Sequence, residues 1–183
     1  MISDKVQQNA KKVEKGNRCT LRDEKSEAHA IIYIKALDDI LAVTVDHALI
    51  SDEEQHKKSD FLLWTFNSGN THIIELKGKN VDAAFEQIAT TIQALGKDDN
   101  TKELVVGRNI LDAYIASPNK QNIPEIHSGK EKELARLLST KCRTKPKDMF
   151  QLIHFVKVVN KQKKIATNGR QIIISNEAPL EVG

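Results

Sequence analysis

Three charged side chains stand beside two apolar segments, where together they could hold a metal ion. Asp60 precedes a short apolar segment, and Glu75 and Lys77 close the next one. In a β-strand alternate side chains share one face, so Glu75 and Lys77 project together while Leu76 points into the core. Two adjacent carboxylates repel each other, and a hard divalent cation such as Mg²⁺ or Mn²⁺ relieves that repulsion. A lysine beside them can orient or deprotonate an attacking water, or offset negative charge on a phosphate.

The segments that carry these residues have the pattern of two paired strands. Residues 67–70, Asn-Ser-Gly-Asn, predict a turn, so strands at 60–64 and 71–77 should pair antiparallel. The apolar residues of both segments predict a buried sheet, in which unpartnered charges are costly. An alternative is that Glu75 and Lys77 form an exposed pair on a solvated face, which would contribute about 0.2–1 kcal/mol.

A helix and a further strand are expected to follow. Apolar residues recur at helical spacing over 81–95, with Asn80 as the N-cap and Gly96 as the stop. The apolar residues 104–106 predict a buried strand. A strand, a helix and a strand form a crossover unit, which should be right-handed and place the helix on the sheet.

The remaining elements are predicted from local pattern alone. In chain order, we expect a helix at 3–14, a hairpin of strands at 30–34 and 40–45, a helix at 130–139 and a hairpin at 164–174 through Asn168 and Gly169. A helix over 24–37 is also compatible with the pattern, because short apolar runs are ambiguous.

The spacing of the charged residues resembles that of a known superfamily. Asp60, then Glu75-Leu76-Lys77 followed by glycine, then a helix carrying Gln87, is similar to the PD-(D/E)XK nuclease superfamily, which includes type II restriction endonucleases and archaeal Holliday-junction resolvases. The resemblance implies an α/β fold with a restriction-endonuclease-like core, a mixed central sheet flanked by helices in the order α-β-β-β-α-β, over about residues 18–106. Ser59 stands where many members have proline.

The resemblance also implies a role for each matching residue. Asp60 and Glu75 would bind Mg²⁺ (or Mn²⁺) with the backbone carbonyl of Leu76. Lys77 would be the catalytic lysine. Gln87 matches a glutamine found in several branches of the superfamily, where it would steady the attacking water or a phosphate.

Further carboxylates could complete such a site. Many members of the superfamily carry a glutamate on the first core helix, and Glu27 is the best-placed candidate, with Glu24 and Asp23 as rivals. Asp46 is either a loop residue or an additional site carboxylate.

Positive charge is concentrated in the last third of the chain. The whole chain has 28 Lys and Arg against 25 Asp and Glu, but residues 141–170 hold nine cations and the single acid Asp148. Clustered cations can follow a phosphate backbone, and a solvated face is the alternative. The expected nucleic-acid contacts are Lys145, Lys147, Lys161, Lys163, Lys164 and Arg170.

Length and composition limit the class of protein. We predict a nuclease core with its N-terminal helix at 1–115, and at 116–183 a basic extension of the same domain or a small subdomain. No apolar run approaches the roughly 18 residues that cross a bilayer, and the N-terminus is unlike a signal peptide. Cys19 and Cys142 match no metal or redox spacing, so a cytoplasmic protein with reduced thiols and no membrane contact is expected. The six histidines show no paired metal spacing either, and His72 is expected to face solvent.

Together these patterns predict a Mg²⁺-dependent endonuclease that hydrolyses phosphodiester bonds, with DNA expected rather than RNA. The alternative is a non-catalytic module that binds nucleic acid or protein on a nuclease-like scaffold. A small-molecule α/β enzyme is disfavoured because the sequence has no glycine-rich phosphate loop. Whether the chain acts as a homodimer is left open.

Overall fold

The computed structural model describes residues 2–23, 30–46, 48–50, 58–77, 80–118 and 121–183. The strands are β1 (Ala10–Val13), β2 (Arg18–Arg22), β3 (Ile31–Ala36), β4 (Ile40–Thr44), β5 (Phe61–Thr65), β6 (Thr71–Leu76), β7 (Leu111–Ser117), β8 (Ile153–Val158), β9 (Ala166–Asn168), β10 (Gln171–Ile174) and β11 (Leu180–Val182). The α-helices are α1 (Asp4–Gln8), α2 (Val81–Lys97) and α3 (Gly129–Lys141), and short 3₁₀ helices cover Lys102–Leu104 and Met149–Leu152.

The strands form a large mixed sheet and a small one, so the fold is α/β. The large sheet has the order β1-β4-β5-β6-β7-β8-β10-β9, and the small sheet has the order β11-β3-β2. Neighbours from β1 to β6 are antiparallel, whereas β6, β7, β8 and β10 are parallel. Parallel neighbours need long crossover connections, and α2 and α3 provide those from β6 to β7 and from β7 to β8. The sheet therefore continues without a break across residue 115.

The central strands of the large sheet, of which β6 and β7 are buried along their whole length, are covered on both faces. One face packs against α2 and α3, whose apolar residues include Phe85, Ile88 and Leu138. The other face packs against the small sheet. Along β6, Ile73 belongs to the helix side and Ile74 to the small-sheet side, as alternation requires. Glu75 is therefore directed to the helix side.

Several predicted elements are confirmed. β5 and β6 pair antiparallel through the predicted turn, where Gly69 has a φ of 68°. Helix α2 begins after Asn80, whose side chain accepts from the Ala83 amide at 3.1 Å, and it runs just past Gly96. The C-terminal hairpin is formed by β9 and β10, and Gly169 occupies its turn.

The helix expected at 3–14 is wrong beyond its first turns. Only Asp4–Gln8 is helical, and the chain then extends into β1, which pairs with β4. A short isolated helix gains little from its own hydrogen bonds, so pairing along an open sheet edge prevails. Val13, at the end of β1, is buried by this pairing.

The hairpin expected at 30–34 and 40–45 is also wrong, although both strands exist. β3 joins the small sheet and β4 joins the large one. Asp38 holds the corner between them, because its carboxylate accepts hydrogen bonds from the backbone amides of Asn67 at 2.9 Å and Ser68 at 2.8 Å. The chain therefore passes from one layer of the protein to the other at this point.

The strand expected at 104–106 is wrong. Leu104 and Val105 are buried against α2, but they lie in a 3₁₀ helix and the turn after it. The strand that follows the crossover is β7, seven residues further along. Its pattern is interrupted by Asp112, a buried residue that looks from the sequence like a loop position.

Among the described residues, no helix is long and apolar enough to span a bilayer.

Candidate active site

The predicted carboxylates meet where β5 begins and β6 ends. Because these strands are antiparallel, the start of one lies beside the end of the other. Asp60, immediately before β5, accepts a hydrogen bond on Oδ2 from the Leu76 backbone amide at 2.7 Å. Glu75, next to Leu76 in β6, is only 2 % exposed. The two acidic side chains therefore lie at the same end of the same strand pair.

Lys77 joins this pair to helix α2. Its Nζ lies 3.6 Å from Glu75 Oε1 and donates a hydrogen bond to Gln87 Oε1. Gln87 in turn donates from Nε2 to the Lys58 carbonyl at 3.2 Å. The ammonium group is thus held between a carboxylate on the strand and an amide on the helix. The structure brings together all four predicted residues: Asp60, Glu75, Lys77 and Gln87.

A buried threonine fixes the helix to the start of β5. The Thr91 hydroxyl accepts from the Ser59 amide and donates to the Gln87 carbonyl, both at 2.8 Å. Thr91 is fully buried and lies one helical turn beyond Gln87. The Gln87 backbone is therefore joined by hydrogen bonds through Thr91 to Ser59, the residue before Asp60.

Both carboxylic acids resist ionisation. Burial raises the pKa of Asp60 to about 7, and the charges of Asp23 and Asp46 add to the effect, against the opposing influence of the Leu76 amide and Lys77. Burial also raises the pKa of Glu75 well above its usual range, and the charge of Asp60 raises it further, whereas Lys77 lowers it. Added positive charge at this position would stabilise both carboxylates.

One side-chain oxygen and one backbone oxygen are placed where they could bind a cation. Glu75 Oε2 is buried and has no hydrogen-bond partner among the described residues, an arrangement that is costly for a carboxylate. The N–H and C=O of one strand residue point to the same side. Since the Leu76 amide is directed to Asp60, the Leu76 carbonyl is directed to that side as well.

Only two carboxylates, those of Asp60 and Glu75, are predicted to bind the metal ion. Within the described ranges, no group of three or more His, Cys, Asp or Glu side chains is arranged to hold a metal ion. The predicted set needs only two carboxylates and a carbonyl. The additional candidates Glu27 and Glu24 lie outside the described residues.

The sequence does not place Asp23, Asp46 and Lys58 firmly in this site. Asp23 and Asp46 are only alternative candidates, and Lys58 is not predicted at all. The charges of Asp23 and Asp46 act on Asp60, so both acids lie near it. Asp23 follows β2 and Asp46 follows β4, and no local pattern shows that these strand ends converge. Lys58 is only 3 % exposed, although its surroundings in the sequence look like a polar loop.

The predicted nucleic-acid contacts divide into two kinds. The five lysines are exposed, and Lys145 also binds the end of α3 through the Ser139 carbonyl at 2.6 Å. Arg170 instead turns inward. Its guanidinium pairs with the fully buried Glu131, donates to the Pro124 carbonyl at 3.0 Å and lies over the Phe155 ring. Its first role is therefore to neutralise a buried carboxylate.

A second polar cluster lies at the opposite ends of β6 and β7. Asp112 binds His72 Nδ1 at 2.6 Å and His154 Nε2 at 3.2 Å, while Tyr114 stacks on His154. Burial opposes ionisation of Asp112, but the two histidines outweigh it and hold its pKa below the ordinary range. His72 is 5 % exposed, so the expectation that it faces solvent is wrong.

Searches of the chain against protein-family models, curated proteins and solved structures find no match.

The raised pKa of Asp60 predicts a pH-dependent stability. The folded protein holds this proton more tightly than the unfolded chain, so the free energy of unfolding falls as the pH rises from about 4 to about 7. In metal-free buffer, Asp60→Asn should raise the free energy of unfolding at pH 8 by roughly 1–4 kcal/mol, and by almost nothing near pH 4. Urea denaturation measures this difference. The exposed Glu133→Gln is the control, and equal pH dependence in wild type and Asp60→Asn would contradict the assignment.

The inward position of Arg170 predicts a structural effect. Arg170→Met leaves Glu131 with a weaker set of partners, so the free energy of unfolding should fall by about 3 kcal/mol. The exposed Lys164→Met should change it by less than about 0.5 kcal/mol. Denaturant titration distinguishes the two, and equal stability of both variants would show that the buried pair contributes little.

Proposed function

We propose that this protein is a Mg²⁺-dependent endonuclease whose centre is Asp60, Glu75 and Lys77. The observation that carries the proposal is a pair of buried carboxylic acids with raised pKa values, beside a lysine and an unpartnered Glu75 oxygen. Such a pair is unfavourable on its own and becomes favourable when a divalent cation binds.

The residues present fit a hard cation. Carboxylate and carbonyl oxygens are the preferred ligands of Mg²⁺, and Mn²⁺ accepts the same set. Asp60, Glu75 and the carbonyl of Leu76 would hold the ion. The bound cation supplies Lewis-acid charge at the phosphate and favours ionisation of water.

The protein's own groups then position the reactants. Lys77 Nζ lies 3.6 Å from Glu75 Oε1, a position from which it would offset the negative charge that develops on the phosphate during hydrolysis. Gln87 keeps that ammonium group in place through its hydrogen bond, and the Lys58 carbonyl keeps Gln87 in place. A reacting group held in this way needs little reorganisation when the substrate binds.

The order of the surrounding elements supports the resemblance to PD-(D/E)XK nucleases. β4, β5 and β6 form an antiparallel meander, α2 crosses over the sheet, and β7 lies parallel to β6. These five elements have the order β-β-β-α-β, as in the expected core, but the last strand is β7 rather than residues 104–106, beyond the expected range of 18–106. The chain departs from it by placing β1, β2 and β3 between α1 and the meander.

DNA is the substrate we favour. The exposed lysines after α3 supply positive charge for the phosphate backbone, whatever the base sequence. Binding without Mg²⁺-dependent cleavage would favour the alternative, a non-catalytic module on the same scaffold.

Cleavage should depend on the charged groups of the site. Glu75→Gln prevents this side chain from ionising, with little change in shape, and Lys77→Met removes the ammonium group but keeps the aliphatic chain. Each variant should cleave DNA with Mg²⁺ at least about 100-fold more slowly than wild type, because each loses transition-state stabilisation. A gel assay of labelled single-stranded, duplex and branched DNA and of RNA gives the rates.

The matched controls are Glu133→Gln and Lys132→Met, which make the same changes on the exposed side of α3. Circular dichroism verifies that all variants are folded. Wild-type rates in Glu75→Gln, or in wild type with excess EDTA, would exclude the proposed mechanism.

Metal binding should also be visible as a gain in stability. At pH 8, Mg²⁺ at about a hundred times its dissociation constant should add about 2.7 kcal/mol to the free energy of unfolding. The gain should shrink as the pH falls below 7, because protons compete with the cation for Asp60. Thermal denaturation with and without Mg²⁺ measures it. Asp60→Asn should abolish the gain, whereas an equal gain in that variant would place the ion elsewhere.

A further inference from the structure

A cleft lies where the two sheets separate. β1 joins the large sheet through β4, whereas β2, the next strand, joins the small sheet through β3. The space between them has a volume of about 750 Å³ and is open to solvent. This volume is in the range of roughly 300–1,000 Å³ typical of ligand-binding clefts.

The walls of the cleft lead to the candidate active site. β2 lines one wall and is followed by Asp23, and β4 lines another and is followed, after one residue, by Asp46. The charges of both acids act on Asp60. Phe61, the neighbour of Asp60, lines the cleft itself. The cleft therefore reaches the end of the sheet where the carboxylates lie, although it lies on the small-sheet side and Glu75 is directed to the helix side.

The lining has the chemistry of a site for an anionic, partly aromatic ligand. Its charged residues are Lys11 and Arg18, and none of its described lining residues carries a carboxylate. Gln8, Asn9 and Thr20 add hydrogen-bonding side chains. Leu21, Ala42 and Phe61 provide an apolar floor. Positive charge beside an aromatic ring is the arrangement with which proteins bind single-stranded nucleic acid.

We propose that this cleft binds a single-stranded segment of the nucleic-acid substrate, and that the strand passes around the end of β5 to reach the catalytic residues. Lys11 and Arg18 contact the phosphates, and an unpaired base packs on Phe61. A volume of about 750 Å³ suits a short single-stranded segment, whose unstacked bases can pack individually on an aromatic ring, better than a duplex. The inference rests on the proposed nuclease function for its final step, and it adds the strand state of the substrate.

Binding without catalysis tests the cleft directly. Fluorescence anisotropy in EDTA compares a short labelled single strand with the same sequence as a blunt duplex. The single strand should bind wild type at least about tenfold more tightly. Lys11→Glu combined with Arg18→Gln should weaken single-strand binding at least about tenfold and lower the salt dependence of binding by about one unit per lost phosphate contact. Lys132→Glu, on exposed α3, is the control and should change neither.

Cys19 provides a probe inside the cleft. Its thiol lines the space and is partly exposed, and burial raises its pKa, whereas Cys142 is buried elsewhere. The single strand should slow alkylation of Cys19 at about pH 8.5 at least about fivefold. The duplex should leave the rate unchanged, and Cys142 should remain unreactive in both cases. Equal protection by duplex, or none by the single strand, would overturn the proposal.

Cleavage with Mg²⁺ separates this inference from the proposed function. Faster cutting of the single strand, lost in the cleft variant but not in Lys132→Glu, supports both. Cutting of single strand and duplex at equal rates, unchanged in the cleft variant, overturns the cleft and leaves the nuclease intact. Protection of Cys19 with no cutting of any substrate overturns the nuclease and leaves the cleft as a binding site.

Discussion

The structure depends above all on the burial of two acidic side chains at one end of a strand pair. Asp60 and Glu75 repel each other and lose hydration, and the fold compensates only in part. The Leu76 amide stabilises Asp60, and Lys77 stabilises Glu75. Gln87 of helix α2 holds the Lys77 ammonium group in place. A fold that keeps so unfavourable a pair in place has the character of a functional site, where local stability is given up for chemistry.

The rest of the molecule can be understood as support for this end of the sheet. The antiparallel meander sets the register of Asp60 against Leu76, and the crossover to β7 places α2 across the helix-side face. The small sheet covers the opposite face and leaves the cleft at its margin. The His72–Asp112–His154 cluster connects β6, β7 and β8 at their other ends. Side-chain contacts therefore connect the central strands at both of their ends.

Features that depend on neighbours in the chain could be predicted from the sequence. The turn before β6, the Asn80 cap and the Asn-Gly hairpin each follow from residues a few positions apart. The set of Asp60, Glu75, Lys77 and Gln87 follows from the spacing of residues on two consecutive strands and the next helix. Features that depend on distant partners could not. The sequence does not predict β7, because Asp112 interrupts its apolar pattern. Burial of Asp112 becomes favourable only through its hydrogen bonds to His72 and His154, which lie 40 and 42 residues away in the chain. The pairing of β3 and β4 with different sheets was missed for the same reason, and with it the cleft.

The outermost strands of the large sheet raise a different question, that of self-association. β1 and β9 end the sheet, and each leaves one row of backbone donors and acceptors unpaired within the described strands. Such rows attract further strands and can seed aggregates. Lys11 and Lys12 lie on β1, and Lys163 and Lys164 precede β9, all of them exposed. Two copies that approached edge to edge would bring like charges together, so these lysines disfavour pairing between the sheet edges of two copies.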